Sequence, residues 1–365
     1  MIRYHTLDQW RGVAVLAVLI FHGFGSISGA GLTVHPGLVW LQKAAGYGWL
    51  GAHMFFVISG FCISANVAAL VAKNGGYMEF AFNRLLRIYP VYWAACLMAI
   101  LVNLLASPFN RVSITASLPK SWGETWANLF LVEPYFDYDP LLLVSWSLVY
   151  EVGFYLLVAF GLCLHERGVP RLVLLSGGFG LALLAMMAPW KGIFFILNFW
   201  PEFVLGTLVY LGIQAAQRSV KEAYLWMTAS FPLLLTGIFT LPTAGHKWQL
   251  AAVIFFAWML FFLYPFDRRV SKLKIMRGLG WLGVISYSLY LTHVFLGLKL
   301  VNLSTRFMDH DSLWMLALQP AAWGLSIVLA WTFYRCVEKP LEKWRKKLST
   351  KLFQNINSAH QPTGT

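Results

Sequence analysis

Ten apolar stretches, each near the length needed to cross a lipid bilayer, constrain what this chain can fold into. A helix needs about 20 apolar residues to span roughly 30 Å of hydrocarbon, and a helix satisfies its own backbone polar groups there. The pattern predicts an all-α, polytopic membrane bundle of about ten transmembrane helices in one domain, residues 1–349. The stretches are 11–30, 47–72, 88–107, 141–163, 172–189, 192–213, 224–241, 249–264, 281–302 and 313–335.

The composition agrees with a surface that faces lipid. Hydrophobic residues make up 59% of the 365 residues and charged residues only 12%, whereas about a quarter of residues are charged in soluble domains. Residues 350–365 are polar and have little to bury, so we expect a disordered tail. Four cysteines lie in or beside the apolar stretches, without the spacing of a metal site or a disulfide framework.

The placement of charge predicts the topology. A net charge of +13 would suggest a nucleic-acid partner in a soluble protein. Here, with a cytoplasmic N-terminus, most Lys and Arg fall in cytoplasmic connections, as the positive-inside rule requires. We therefore expect both termini in the cytoplasm, anionic membrane lipids beside the basic runs and no nucleic-acid partner. The longest connection, 108–140, is expected outside, as a lid or as an interfacial loop.

Four titratable side chains inside predicted spans are candidates for function, because ionisable groups in a bilayer are costly. Counting about 1.5 Å per residue places them at one depth, which favours convergence on an internal cavity. Hydrogen-bonded packing between helices is the alternative for each. These side chains are His22, Glu151, Glu202 and His293.

Among these groups, His22 has the chemistry of a general base. Imidazole titrates near neutral pH and can accept a proton from an attacking hydroxyl. A carboxylate such as Glu151 could orient the ring and stabilise the imidazolium. The sequence therefore suggests a His–carboxylate pair near the midplane.

A pair of arginines precedes the third span. Arg84 and Arg87 are three residues apart and share one face of a helix, and Arg11 lies at the cytoplasmic base of the first span. Guanidinium groups match phosphate in a bidentate manner, so the three could hold a phosphate-rich cytoplasmic donor. Ordinary positive-inside charge explains the same residues.

Seven short motifs follow one another between about residues 5 and 345. They are Leu7-Asp8-Gln9-Trp10-Arg11-Gly12 with Phe21-His22; Phe55-Phe56-Val57-Ile58-Ser59-Gly60-Phe61; Arg84 with Arg87; Ser145-Trp146-Ser147-Leu148 with Glu151 and Phe154-Tyr155; Pro201-Glu202-Phe203; Ser286-Tyr287-Ser288-Leu289-Tyr290 with His293; and Glu338-Lys339-Pro340. In this order they resemble the acyltransferase-3 family of multi-pass bacterial membrane O-acyltransferases. One departure is His53, where the family usually has an acid.

The resemblance implies an enzyme of the bacterial inner (cytoplasmic) membrane that acylates surface glycans. It implies an acyl-CoA donor, acetyl-CoA above all, with no permanently bound cofactor or metal, and a sugar hydroxyl of a lipid-linked or exported glycan as acceptor. His22 would be the general base, with Glu151 as its partner, and Arg11, Arg84 and Arg87 would bind the donor. The expected lining of the cavity is Asp8, His53, Ser147, Glu202, Tyr290 and His293.

A second class of function explains the midplane charges as well. Proton-coupled transporters and flippases of lipid-linked sugars also carry ionisable groups at this depth. Such proteins often show inverted repeats and spans broken by Gly or Pro at matching positions, and neither is visible here. The order of the motifs favours the enzyme.

Overall fold

The computed structural model describes residues 4–29, 39–110, 118–187, 192–304 and 313–359, and no strand occurs within these ranges. The all-α prediction is confirmed. The α-helices are α1 Leu7–Gly29, α2 Val39–Gly46, α3 Leu50–Val71, α4 Tyr77–Asn110, α5 Trp122–Phe130, α6 Trp146–Glu166, α7 Arg171–Ala185, α8 Trp200–Ala216, α9 Val220–Thr228, α10 Ser230–Thr240, α11 Ala244–Leu263, α12 Asp267–Val270, α13 Lys274–Val284, α14 Ser286–Thr292, α15 Gly297–Ser304, α16 Leu313–Phe333 and α17 Lys339–Ala359.

Several helical segments are long and apolar enough to cross a membrane. Among the described residues there are six, and α7 is apolar but shorter. The chain is therefore a multi-pass membrane protein, while the number ten stays a prediction. The six segments are Val39–Val71, Tyr77–Ala106, Trp146–Glu166, Phe195–Ala216, Val220–Thr240 and Ala244–Val270.

The ninth predicted span is not one continuous helix. Its residues belong to α13, α14 and α15, and α14 ends at Thr292. The His293 ring explains this end, because its Nδ1 lies 3.2 Å from the Leu289 carbonyl oxygen and 2.9 Å from that of Tyr290. The Leu289 carbonyl oxygen also accepts the His293 backbone N–H at 3.0 Å, so the ring serves chiefly the Tyr290 carbonyl, which the last turn leaves open.

Helix α1 contacts many of its neighbours, among them α3, α13, α14, α15 and α16. Its contact with α13 is a backbone contact, since a Cβ at Gly283 would lie 1.7 Å from the carbonyl oxygen of Asp8. Small residues allow membrane helices to approach this closely. Arg11 and His22 both lie on α1, about 16 Å apart along its axis.

Helices α3 and α8 form a second close pair. A Cβ at Gly206 would lie 1.9 Å from the Val57 carbonyl oxygen, and most of α8 is buried. The pairing brings α8 side chains against α3 and α11.

The described part of the long connection, 118–140, is folded onto α4. Tyr92 and Trp93 of α4 donate hydrogen bonds to the carbonyl oxygens of Asn128 and Leu129, each at 2.9 Å. The Asn128 amide donates to the carbonyl oxygens of Glu124 and Asp139, each at 3.0 Å. This connection is thus tied to a membrane-spanning helix.

The last helix, α17, also packs against α4. The Asn83 amide donates to Ser349 Oγ at 2.8 Å, and the Phe82 and Phe353 rings lie 5.6 Å apart. The helix continues to Ala359, into the stretch that the sequence predicts to be disordered. Residues 360–365 lie outside the described residues.

Candidate functional site

A cavity of about 130 Å³ lies between α1, α3, α4, α6 and α14. It brings together six of the residues that the sequence nominates: Arg11, Arg84, Arg87, Ser147, Glu151 and Tyr290. The rest of its wall is largely apolar, with Phe55, Phe56 and Ile88 among the lining side chains. We call it the arginine cavity.

The arginines form one wall of the arginine cavity. The Arg84 guanidinium lies 5.8 Å from the ring centres of both Phe80 and Tyr155, within the range of cation–π attraction. Arg11 lies 3.6 Å from the Asp8 carboxylate, whose side chain is 56% exposed. Asp8 thus pairs with Arg11 at the start of α1. Asp8 itself is not among the residues that line the cavity.

Glu151 faces these arginines. Its carboxylate accepts hydrogen bonds from the Tyr155 hydroxyl and, at 3.3 Å, from Ser59 Oγ. It also interacts electrostatically with Arg84 and Arg87. Glu151 therefore supplies negative charge to the arginine cavity.

Ser147 and Tyr290 line the same cavity nearer the start of α6. Ser147 Oγ donates to Tyr290 Oη at 2.7 Å. Ser147 and Tyr155 are eight residues apart on α6, about 12 Å along a helix axis. The cavity therefore extends from the arginines to a pair of hydroxyl groups.

His22 lines a second, smaller cavity of about 10 Å³, which we call the histidine cavity. The His22 ring centre is 5.0 Å from that of His293. Much of the remaining lining consists of Gln319, Trp323 and Ser326. Tyr290 of the arginine cavity lies near the histidine cavity, because its ring centre is 6.2 Å from that of His293.

The expected convergence of four titratable groups on one cavity is thus not what the structure shows. Glu151 lines the arginine cavity and His22 the histidine cavity. The titratable ring that lies beside His22 among the described residues is that of His293. Similar depth along different helices does not fix the direction in which each side chain points, which explains the difference.

Glu202 and His53 form a third cluster, and neither is among the lining residues of the two cavities. His53 Nδ1 lies 2.7 Å from Glu202 Oε1, and the Gln249 amide nitrogen lies 3.3 Å from the same oxygen. This cluster joins α3, α8 and α11, so Glu202 makes the packing contact that the sequence left as its alternative. Within the described residues, no three His, Cys, Asp or Glu side chains gather as a metal site requires.

Several polar residues near the two cavities were not nominated from the sequence. Arg345 of α17 donates to Asn83 Oδ1 at 2.8 Å and interacts electrostatically with Arg84 and Arg87. It belongs to a basic run that the positive-inside rule already explains. Gln319 gives a clearer signal, since it is a lone amide in an apolar stretch.

Comparison with known proteins identifies the family. A family model described as "Acyltransferase domain" matches residues 4–335. The chain is 23% identical, over 93% of its length, to the peptidoglycan O-acetyltransferase OatA of Listeria monocytogenes, but it spans only 56% of that protein. It is 26% identical, over 92% of its length and 82% of the relative's, to a provisionally named membrane-bound transacylase, BcsY, of Komagataeibacter xylinus. No solved structure matches the chain.

Proposed function

This chain belongs to the acyltransferase-3 family of membrane O-acyltransferases, and we propose that it moves an acetyl group from acetyl-CoA to a sugar hydroxyl of a lipid-linked or exported surface glycan. The arginine cavity carries this proposal. It combines three guanidinium groups with an apolar wall and a pair of hydroxyl groups. The Listeria relative is a peptidoglycan O-acetyltransferase, which supports a glycan acceptor and an acetyl group.

The donor fits the arginine cavity in one orientation. Arginine pairs with phosphate oxygens in a bidentate manner, so Arg11, Arg84 and Arg87 hold the phosphates of coenzyme A. A space of about 130 Å³ is below the usual size of a ligand pocket, about 300–1,000 Å³. The bulky nucleotide therefore stays outside, the phosphates lie at the arginine end of the cavity, and the narrow arm of coenzyme A carries the thioester toward Ser147 and Tyr290.

The chemistry takes place beside Tyr290, between the two cavities. The acceptor oxygen attacks the thioester carbonyl carbon, the new C–O ester bond forms, and the C–S bond breaks to release coenzyme A. His22 accepts the proton of the attacking hydroxyl. Tyr290 bonds to Ser147 and lies near His293, and in this scheme its hydroxyl donates to the thioester carbonyl oxygen as negative charge develops.

The topology that serves this reaction has ten spans, with both termini in the cytoplasm of a bacterial cell and the protein in the inner membrane. Arg84 and Arg87 then lie near the cytoplasmic end of α4, where acetyl-CoA is available. The charge distribution supports this orientation.

A mass measurement tests the function. Surface polysaccharide from cells with and without this protein is compared by mass spectrometry, and membranes from both strains are supplied with [14C]acetyl-CoA. We expect a mass gain of one acetyl group per modified residue and labelled glycan only where the protein is present. A transporter or flippase would leave the mass unchanged, and that result would overturn the proposal.

A further inference from the structure

The histidine cavity contains an unusual concentration of buried polar atoms without partners. Within the described residues, His293 Nε2, Trp323 Nε1 and both amide atoms of Gln319 have no hydrogen-bond partner. Gln319 is 1% exposed and His293 is 2% exposed. Because buried polar atoms are nearly always paired in proteins, four orphaned atoms around one cavity indicate that it receives a polar group.

The proton position on His293 follows from its contacts. Its Nδ1 faces the carbonyl oxygens of Leu289 and Tyr290, and a carbonyl oxygen only accepts, so Nδ1 carries the hydrogen. In a neutral imidazole the other nitrogen is then an acceptor. Ser326 Oγ donates to the His293 carbonyl oxygen at 3.2 Å and helps to fix this backbone. His293 thus presents a lone pair at Nε2.

The other orphaned atoms complement that lone pair. The indole Nε1 of Trp323 can only donate, and the Gln319 amide supplies one acceptor and two donor hydrogens. Gly23 keeps the space between them open, since a Cβ there would lie 2.6 Å from Trp323 Nε1 and 2.7 Å from Gln319 Oε1. The cavity therefore offers donors and acceptors to the same small guest.

We propose that the histidine cavity binds the reacting hydroxyl group of the acceptor sugar. Its oxygen accepts from Trp323 Nε1, and its single hydrogen is donated to His293 Nε2 or Gln319 Oε1 on binding and to His22, the proposed base, as the hydroxyl attacks. A volume of about 10 Å³ suits one water-sized group, which excludes a phosphate or an acyl chain. A hydroxyl group meets both the size and the need to donate and accept.

The location favours the acceptor over a structural water. His22, the proposed base, lines the cavity, and the His293 ring centre is 6.2 Å from that of Tyr290, which bonds to Ser147 at the hydroxyl end of the arginine cavity. A hydroxyl held there is next to both the base and the thioester. This inference rests on the proposed function and assigns its acceptor subsite to Gln319, Trp323 and Gly23.

Three substitutions test the subsite. Trp323→Phe removes one donor, Gln319→Met removes both amide atoms, and Gly23→Ala fills the open space. Matched controls on α16 are Trp331→Phe, at an exposed position, and Gly324→Ala, where a Cβ meets nothing within 4 Å. Each variant is produced in the native bacterium with the gene deleted, so that its membranes carry their own glycan acceptor.

Three quantities are measured for each variant: transfer of label from [14C]acetyl-CoA to glycan in membranes, acetyl-CoA affinity of the purified protein, and its thermal stability. Loss of a hydrogen bond to the reacting group should lower transfer by about tenfold or more. We expect this loss in the three test variants, with acetyl-CoA affinity and melting temperature matching the controls.

The other outcomes separate two failures. If the wild-type protein labels no glycan, the proposed function fails. The subsite is wrong if the wild type labels glycan and the three variants label it equally well. It is also wrong if the variants lose transfer only as far as their melting temperatures fall. In either case the cavity holds a structural water or no guest. Trp323→Phe, the mildest change in shape, decides the case if the other two variants do not fold.

Discussion

Arg84 and Arg87 are the residues for which a substitution distinguishes function from topology most directly. If they bind the phosphates of coenzyme A, changing either to Ala should weaken acetyl-CoA binding by about tenfold, since hydrogen bonds between charged groups are lost. Lys should restore binding only in part, because it lacks the bidentate fork. Isothermal titration of the purified variants measures this. Arg218→Ala, at an exposed position, is the control, and wild-type affinity in the double Ala variant would contradict the assignment.

His22 is the residue on which the proposed chemistry depends. A positioned general base contributes about 10² to 10⁴ in rate, so His22→Ala should lose most turnover. His22→Gln should lose nearly as much, because an amide cannot take the proton. Neither change should alter acetyl-CoA affinity, since His22 lies outside the arginine cavity. Glu151→Gln should act mainly on donor affinity, given its place beside the arginines.

Turnover, donor affinity and melting temperature for these three variants are measured in one detergent. An active His22→Gln enzyme would show that His22 is a structural residue. A Glu151→Gln variant with normal donor affinity and lost turnover would restore the carboxylate to the role of partner for the base.

What the sequence could and could not predict about the site follows from helix geometry. The depth of a side chain depends only on its count along the span, so His22, Glu151, Glu202 and His293 were identified as buried candidates. The face on which each lies depends on packing between helices far apart in sequence. The arginine pair was predictable because its two members share one helix, whereas the partner of His22 was not.

At the scale of elements, the connection 118–140 shows how a loop between spans is held. Asn128 Oδ1 accepts the Leu141 amide hydrogen at 2.6 Å, and the Glu133 carboxylate accepts Ser145 Oγ–H at 2.8 Å. Glu133 is 1% exposed, and burial raises the pKa of its carboxyl group. The Ser145 hydrogen bond opposes this rise only in part.

The raised pKa of Glu133 predicts a pH dependence. An acid whose pKa is higher in the folded state favours folding below its unfolded pKa, and this contribution is lost as pH rises through the folded pKa. The connection should therefore lose stability with increasing pH from about pH 4 upward. Glu133→Gln, which stays neutral and can still accept from Ser145, should flatten this dependence and stabilise the protein at neutral pH.

Thermal unfolding across this pH range measures the effect, with the exposed Asp137→Asn as the control. If the melting temperature changes equally with pH in the wild type and in Glu133→Gln, the Glu133 carboxyl group is not the cause of the pH dependence.

Helix α17 links the end of the described chain to the arginines of the arginine cavity. Arg345 bonds to Asn83, one residue before Arg84, and interacts with both site arginines. If it adds to the positive potential at the phosphates, Arg345→Ala should weaken acetyl-CoA binding several-fold, less than either direct ligand and more at low salt. Lys347→Ala, at an exposed position of the same helix, is the control, and equal affinities at low salt would show that α17 has no part in donor binding.

At the scale of the whole molecule, apolar length predicts that segments are helical and buried in lipid but not where they break. The stretch 281–302 reads as one span, yet it contains the ends of α13 and α14; Gly283 packs against the α1 backbone and the His293 ring contacts the Tyr290 carbonyl at these breaks. Such breaks depend on tertiary contacts that an average over hydropathy cannot contain. In membrane proteins, broken helices lie where they line a cavity, as α14 does here.

Ten spans with both ends inside predict that the 118–140 connection is outside and the 266–280 connection inside. The reason is electrostatic: basic residues near a span stay on the cytoplasmic side, and 266–280 is rich in them. Lys120→Cys, at an exposed position, should react with a membrane-impermeant maleimide in intact cells. Lys272→Cys, equally exposed, should react only after the membrane is opened.

All four native cysteines are replaced first, so that the reagent can react only at the introduced residue. Cys336 is exposed, Cys62 and Cys163 are half-buried, and Cys96 is buried. Activity of the cysteine-free protein in the glycan-labelling assay shows that its fold is intact. If Lys120→Cys is protected in intact cells while Lys272→Cys is labelled, the whole topology is inverted, and the arginine cavity would open away from cytoplasmic acetyl-CoA. If both react in intact cells, both lie outside and an even number of spans separates them, in place of the five that the ten-span topology predicts. The labelling result therefore decides whether the donor can reach Arg84 and Arg87 from the compartment that supplies it.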